Sequence, residues 1–223
     1  MPSNLSEMKR TRDGCVSNPD RLGYWYLRLN GFLLWENFII HPDRGNEQRT
    51  DADLLGVRFA NRSENPVLPM ADDPVVTDSS TFCNVVIVEV KKGMCALNGP
   101  WTRQDDENIQ RVLRALGCFP ESAVNLAAKE LYERGRFATA DVTCRLLAFG
   151  DHEGHLTISG VPQIMFDHMI QFIHKRFKAY RNQKSSVGNW PLDGQRLRQM
   201  AERHAMIDDF EREVRSYFRL GGV

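Results

Sequence analysis

The stretch that most constrains this chain is Val85-Val86-Ile87-Val88-Glu89-Val90-Lys91-Lys92. It is short, rich in β-branched residues and closed by Gly93, a pattern that predicts a buried strand. Glu89 and Lys91 are two residues apart, so both side chains leave the same face. A carboxylate and an ammonium at the end of an apolar strand are costly to desolvate unless they pair or bind something. A divalent cation and a phosphate are suitable partners.

The elements around this strand follow from local signals. Asn18-Pro19 is a helix start, an Asn cap with Pro at the first helical position. Leu22, Tyr26 and Leu29 give that helix an apolar face, and Asn30-Gly31 ends it. Phe32–His41 reads as a strand with a bend at Glu36-Asn37. A turn-rich connection runs from Pro42 to Arg49. Leu54–Phe59 is a second strand, introduced by Thr50-Asp51-Ala52-Asp53. Residues 61–80 are polar, contain Pro66, Pro69 and Pro74, and form a long loop. Beyond the central strand, Ile109, Val112, Leu113 and Leu116 predict a helix from about Gln104 to Leu116, stopped by Gly117. A helix over Glu121–Arg134 and a strand over Val142–Phe149 follow, then a short strand-like piece at Leu156–Ser159. The apolar spacing from Ile164 to Phe177 predicts a helix over about 162–183. A charged helix from about Gln195 to Leu220 closes the chain. Its apolar positions are sparse, so it is expected to pack on a partner, a second copy included, rather than in the core.

This order gives three regions: a leader (1–17), an α/β domain (18–184), and a linker with a C-terminal helix (185–223). With 223 residues the chain can bury a sizeable core. Lys+Arg and Asp+Glu both number 29, so net charge argues neither for nor against nucleic acid. Five widely spaced cysteines with no C-x-x-C make a disulfide framework or a cysteine zinc site a poor expectation. The first residues lack an apolar signal core, and no apolar run reaches the length that spans a membrane. No membrane partner is expected, and a reducing cytoplasm is the simplest compartment.

Asp53 stands before one apolar strand, and Glu89 and Lys91 stand on the next. Short antiparallel neighbours bring the two carboxylates together, where they repel unless a cation sits between them. Such oxygen ligands suit Mg²⁺, which takes one or two carboxylates plus substrate phosphate oxygens and keeps several waters. Lys91, further along the same face, can orient a water or stabilise developing negative charge. These parts suffice for metal-assisted phosphodiester hydrolysis.

Asp53, Glu89-Val90-Lys91 and the flanking helices resemble the PD-(D/E)XK nuclease superfamily, over roughly residues 19–150. The resemblance implies a restriction-endonuclease-like core, α-β-β-β-α-β with a mixed sheet, here carrying a helical C-terminal extension. It implies Mg²⁺, with Mn²⁺ as a substitute, held by Asp53, Glu89 and the Val90 backbone carbonyl. It implies Lys91 as the catalytic lysine and Gln110 as the glutamine some members place on the following helix. DNA is implied ahead of RNA. Ala52 stands where the motif has Pro, and the first helix offers only Asp20, at its start, as an acid.

Each residue also has a plainer reading. Glu89 and Lys91 can be a strand-end ion pair. Asp51 serves a turn equally well, and shares a face with Asp53 only if the strand already begins there. Gln110 is by default a solvent-facing glutamine. His152 and His155 in a Gly-flanked turn are not a zinc set. Lys175, Arg176, Lys178, Arg181 and Lys184, joined by Lys92 next to the motif, can track phosphates. The run equally suits a helix C-terminus. Trp101 and Trp190 can stack on bases or be buried. The alternative to a nuclease is an inactive module of the same fold that binds nucleic acid or a protein partner.

Overall fold

The computed structural model describes residues 18–41, 49–67, 69–78, 80–185 and 188–221. The expected leader, most of the connection after His41, and Cys15 lie outside them. In chain order the elements are α1 (Pro19–Leu29), β1 (Leu33–Ile40), β2 (Thr50–Phe59), β3 (Cys83–Val90), α2 (Asn108–Leu116), α3 (Glu121–Arg134), β4 (Arg136–Ala138), β5 (Val142–Gly150), β6 (Gln163–Met165), α4 (Phe166–Ala179), α5 (Leu192–Arg203) and α6 (Ile207–Phe218).

The strands form one six-stranded mixed sheet in the order β1-β2-β3-β5-β4, with β6 also paired to β5. β1, β2 and β3 are antiparallel neighbours, and β5 runs parallel to β3. A parallel return needs a crossover, and α2 and α3 lie between these two strands in the chain. Helices cover both faces. Leu54, Val86, Val88, Leu147 and Phe149 pack in one core with α1, α4, α5 and α6. Leu55, Val85, Ile87, Cys144 and Leu146 pack in the other with α2 and α3. Burial on both faces is why β3 reads as an almost unbroken apolar run.

The local signals for α1 act as expected. The Asn18 side chain accepts the Arg21 N–H at 3.1 Å, and Gly31 turns the chain at a φ of 85°. Other boundaries differ from the sequence reading. The helix expected from Gln104 starts at Asn108, because Glu107 adopts a left-handed φ of 53° after a 3₁₀ turn over Gln104–Asp106. The strand-like piece at Leu156–Ser159 is turn and bend, while residues 163–165, assigned to the long helix, pair with β5 as β6. Tertiary pairing outweighs the helical spacing there.

The closing helix is two helices, broken at His204–Met206. Its sparse apolar residues are not left for a partner. Leu197, Met200, Phe210, Val214 and Phe218 sit in the same core as α1 and α4. Residues 195–220 therefore complete the core of their own chain, and the apolar face expected for a dimer is already covered. Among the described residues no helix is long and apolar enough to cross a membrane.

Candidate functional site

The site lies where β2 and β3 part. Their pairing runs from Phe59↔Cys83 to Leu54↔Val88 and stops there. One residue further, the Asp53 carboxylate takes the place of a backbone partner, with its Oδ2 accepting the Val90 N–H at 2.7 Å. β2 begins at Thr50, so Asp53 is inside the strand and not ahead of it. The alternation of faces slips at the same point. Leu34 and Leu54 face one core, whereas Phe38 and Ala52 face the other. Opposite Asp53, Asn37 has a left-handed φ of 50° and leaves the β1–β2 ladder. The bend expected at Glu36-Asn37 is thus the hinge that turns both strands at the site.

Glu89 is 1% exposed, at the end of β3. Its Oε2 accepts the Trp101 indole N–H at 2.8 Å. Its Oε1 accepts from Lys91 Nζ and Asn98 Nδ2. Lys91 is one residue past the strand, with its side chain 31% exposed. Lys92 beside it faces solvent.

Asp20, Asp51, Asp53 and Glu89 lie near enough at this corner for charge to couple them. Burial raises the Asp53 carboxyl above the ordinary range, opposed by the Val90 N–H and Lys91. Burial also raises Glu89, with the Asp53 charge adding to it and the Lys91 hydrogen bond opposing it. Asp20, in the first turn of α1, is pushed up to about 6 by burial first and by Asp53 next. Asp51 repels both Asp53 and Asp20. Glu36 is paired with Arg21, which also bonds Asp193 at 2.6 Å. Among the described residues, no three His, Cys, Asp or Glu side chains form a metal-ligating group. Asp53 and Glu89 are hard oxygen donors, the ligand type that Mg²⁺ takes, and the Asp53 charge disfavours the ionised Glu89.

The other expected residues are placed less favourably. Gln110 is buried at 7% exposure with its Oε1 unpartnered, and none of the bonds to Asp53, Glu89 or Lys91 comes from it. Arg176 is fully buried, bonded to Asp72 at 2.7 Å, Glu64 at 3.3 Å and the Met70 and Ala71 carbonyls. It pins the 61–73 loop to α4 and cannot reach a phosphate. Lys184 pairs with Glu64 in the same network. Lys175, Lys178 and Arg181 are exposed. Asp72 also holds Arg58, and Arg58 pairs across the sheet with Asn84, near the start of β3. The Arg58 backbone, from which its side chain reaches that ion network, is therefore about 16 Å along the sheet from Glu89. His152 approaches Asp151 at 3.6 Å, and its backbone carbonyl accepts the Cys95 N–H.

Trp101, Asn98 and Asp20 contribute to the site without a legible signal in the sequence. Trp101 is 1% exposed and bonded to Glu89, so it stacks on no base. Nothing in the spacing of Asn98-Gly99-Pro100-Trp101 points to Glu89. Asp20 reads as an acid serving the N-terminus of α1, which hides its approach to Asp53. Comparison with known protein families, characterised proteins and solved structures finds no match in any of the three.

Proposed function

We propose that this protein is a metal-dependent phosphodiesterase acting on nucleic acid, DNA ahead of RNA, of the PD-(D/E)XK type. The observation that carries the reading is the corner where β2 and β3 part, where Asp53 accepts the Val90 N–H and the neighbouring Glu89 accepts from Lys91. An acid-rich corner of this kind repels phosphate and raises its own carboxyls unless a cation is present. The element order supports the same reading: one helix, an antiparallel three-strand meander, helices, then a strand parallel to the third.

Asp53 and Glu89 would hold Mg²⁺, or Mn²⁺ in its place, beside the end of β3 at Val90. Such an ion supplies charge neutralisation for the phosphodiester and acidifies water. Lys91 donates hydrogen bonds to the developing charge on the phosphate and positions the attacking water. Its partial exposure leaves it free to move from Glu89 toward a substrate. Lys92, Lys175, Lys178 and Arg181 offer exposed charge to the backbone of a bound strand.

The test is cleavage of labelled DNA and RNA with Mg²⁺, Mn²⁺ or EDTA. EDTA-sensitive cleavage is expected, falling by at least about 100-fold in Lys91→Ala and Glu89→Ala. Cleavage that survives both substitutions would sink the assignment. One observation favours the second reading, an inactive module of the same fold. Both oxygens of Glu89 already have protein donors. Nucleic-acid or protein binding with no cleavage under any metal would select it.

A further inference from the structure

The Glu89 carboxylate is held by two unlike sets of partners. Oε2 is bonded by the Trp101 indole, 2.8 Å away and buried among the residues of the α2–α3 core. That indole is a donor only, and its direction is fixed by the packing of its rings. The stretch carrying it is anchored at both ends. The Cys95 N–H donates to the His152 carbonyl at 2.8 Å, and Asn108 Nδ2 at the start of α2 donates to the Pro100 carbonyl at 3.2 Å. Oε1 is bonded by Lys91, whose side chain reaches solvent, and by Asn98, which is exposed. Both of these side chains can swing away without opening the core.

We infer that Trp101 is a positioning residue that fixes Oε2, and that Oε1 is the exchangeable oxygen, surrendered by Asn98 and Lys91 when a divalent cation arrives. The inference rests on the proposed metal site and adds its regulation: cation binding frees the Lys91 ammonium from Glu89. Lys91 is thus held away from substrate until the cation has displaced it. Asn98 competes with the cation, whereas Trp101 assists it, so their removal has opposite effects.

The experiment is a Mn²⁺ titration of the full chain, followed by electron paramagnetic resonance of the free ion. Wild type, Trp101→Phe and Asn98→Ala are compared, with circular dichroism and thermal melting as checks of folding. Trp101→Phe keeps the ring and removes the N–H donor, and is expected to weaken Mn²⁺ about 10-fold, the scale of losing a partner that orients a metal ligand. Asn98→Ala is expected to tighten Mn²⁺ by several-fold, an effect that mere loss of structure does not produce. Should Trp101→Phe not fold, Asn98→Ala alone decides. Affinity equal to wild type, or weaker, in Asn98→Ala overturns the inference while leaving the metal site standing. No Mn²⁺ binding by the wild type overturns the metal site itself.

Discussion

Asp53 meets two needs at once. It accepts the Val90 N–H where the β2–β3 ladder has ended, and its charge acts on Asp20 and Glu89. The buried N–H makes the contact worth keeping without a ligand, and the repulsion makes it improve with one. Asp20 gives a pH signature. Its folded-state carboxyl, raised to about 6, contributes stability below the ordinary unfolded-chain value of 3.8 and loses it as pH rises through about 6. Asp20→Asn is therefore expected to raise the urea midpoint at pH 7.5 and to leave it nearly unchanged at pH 3.5. An equal effect at both values would show that burial of Asp20 is not the cause. Arg176 gives a second residue-scale expectation. Arg176→Ala leaves Asp72 to Arg58 and Arg62 and Glu64 to Lys184, but it opens a void and removes the donor to the Met70 and Ala71 carbonyls, and should cost about 1–3 kcal/mol in urea unfolding, with nucleic-acid affinity per folded molecule unchanged. A loss of affinity without loss of stability would return Arg176 to the binding surface. The sequence showed the charges at 89 and 91 because an apolar strand makes them conspicuous. It could not show Trp101 or the true neighbours of Arg176, because those contacts join segments with no shared periodicity.

Among the elements, β3 and its neighbours were the most legible. Their β-branched runs and bounding turns place β1, β2, β3 and β5 within a few residues of where they form. α3 begins and ends at Glu121 and Arg134, the bounds expected from the sequence. The failures are physical too. β4 and β6 are three residues each, too short to carry a pattern, and depend on β5 for their pairing. α5 and α6 looked too polar for a core because each offers only a narrow apolar stripe. That stripe is enough once α4 and α1 lie against it. Phe210 is fully buried on α6. Phe210→Ala is expected to cost about 3–5 kcal/mol by urea denaturation. A cost under about 1 kcal/mol would mean that α6 is peripheral to the fold.

Across the whole molecule, the acid-rich corner and the α4 basic end lie at opposite ends of β3. Because helices cover both faces of the sheet, with Glu89 against the α2–α3 core and α4 in the other, a nucleic acid that touches both must pass around the outside of the molecule, with Lys92 near Glu89 and Lys178 and Arg181 far from it. Lys178→Ala combined with Arg181→Ala is expected to weaken binding uniformly across sequences and reduce the salt dependence by about one charge each. Cleavage at saturating substrate should persist, as read in a fluorescence-anisotropy titration alongside single-turnover kinetics. An unchanged salt dependence would remove α4 from the path of the strand. The claim under all of this is that Asp53, Glu89 and Lys91 form one cation-dependent centre. Calorimetric titration with Mg²⁺ tests it most directly. The account predicts one site per chain in the wild type, lost in Asp53→Asn and retained in Lys91→Ala. Binding that is absent from the wild type, or unaffected by Asp53→Asn, would contradict it.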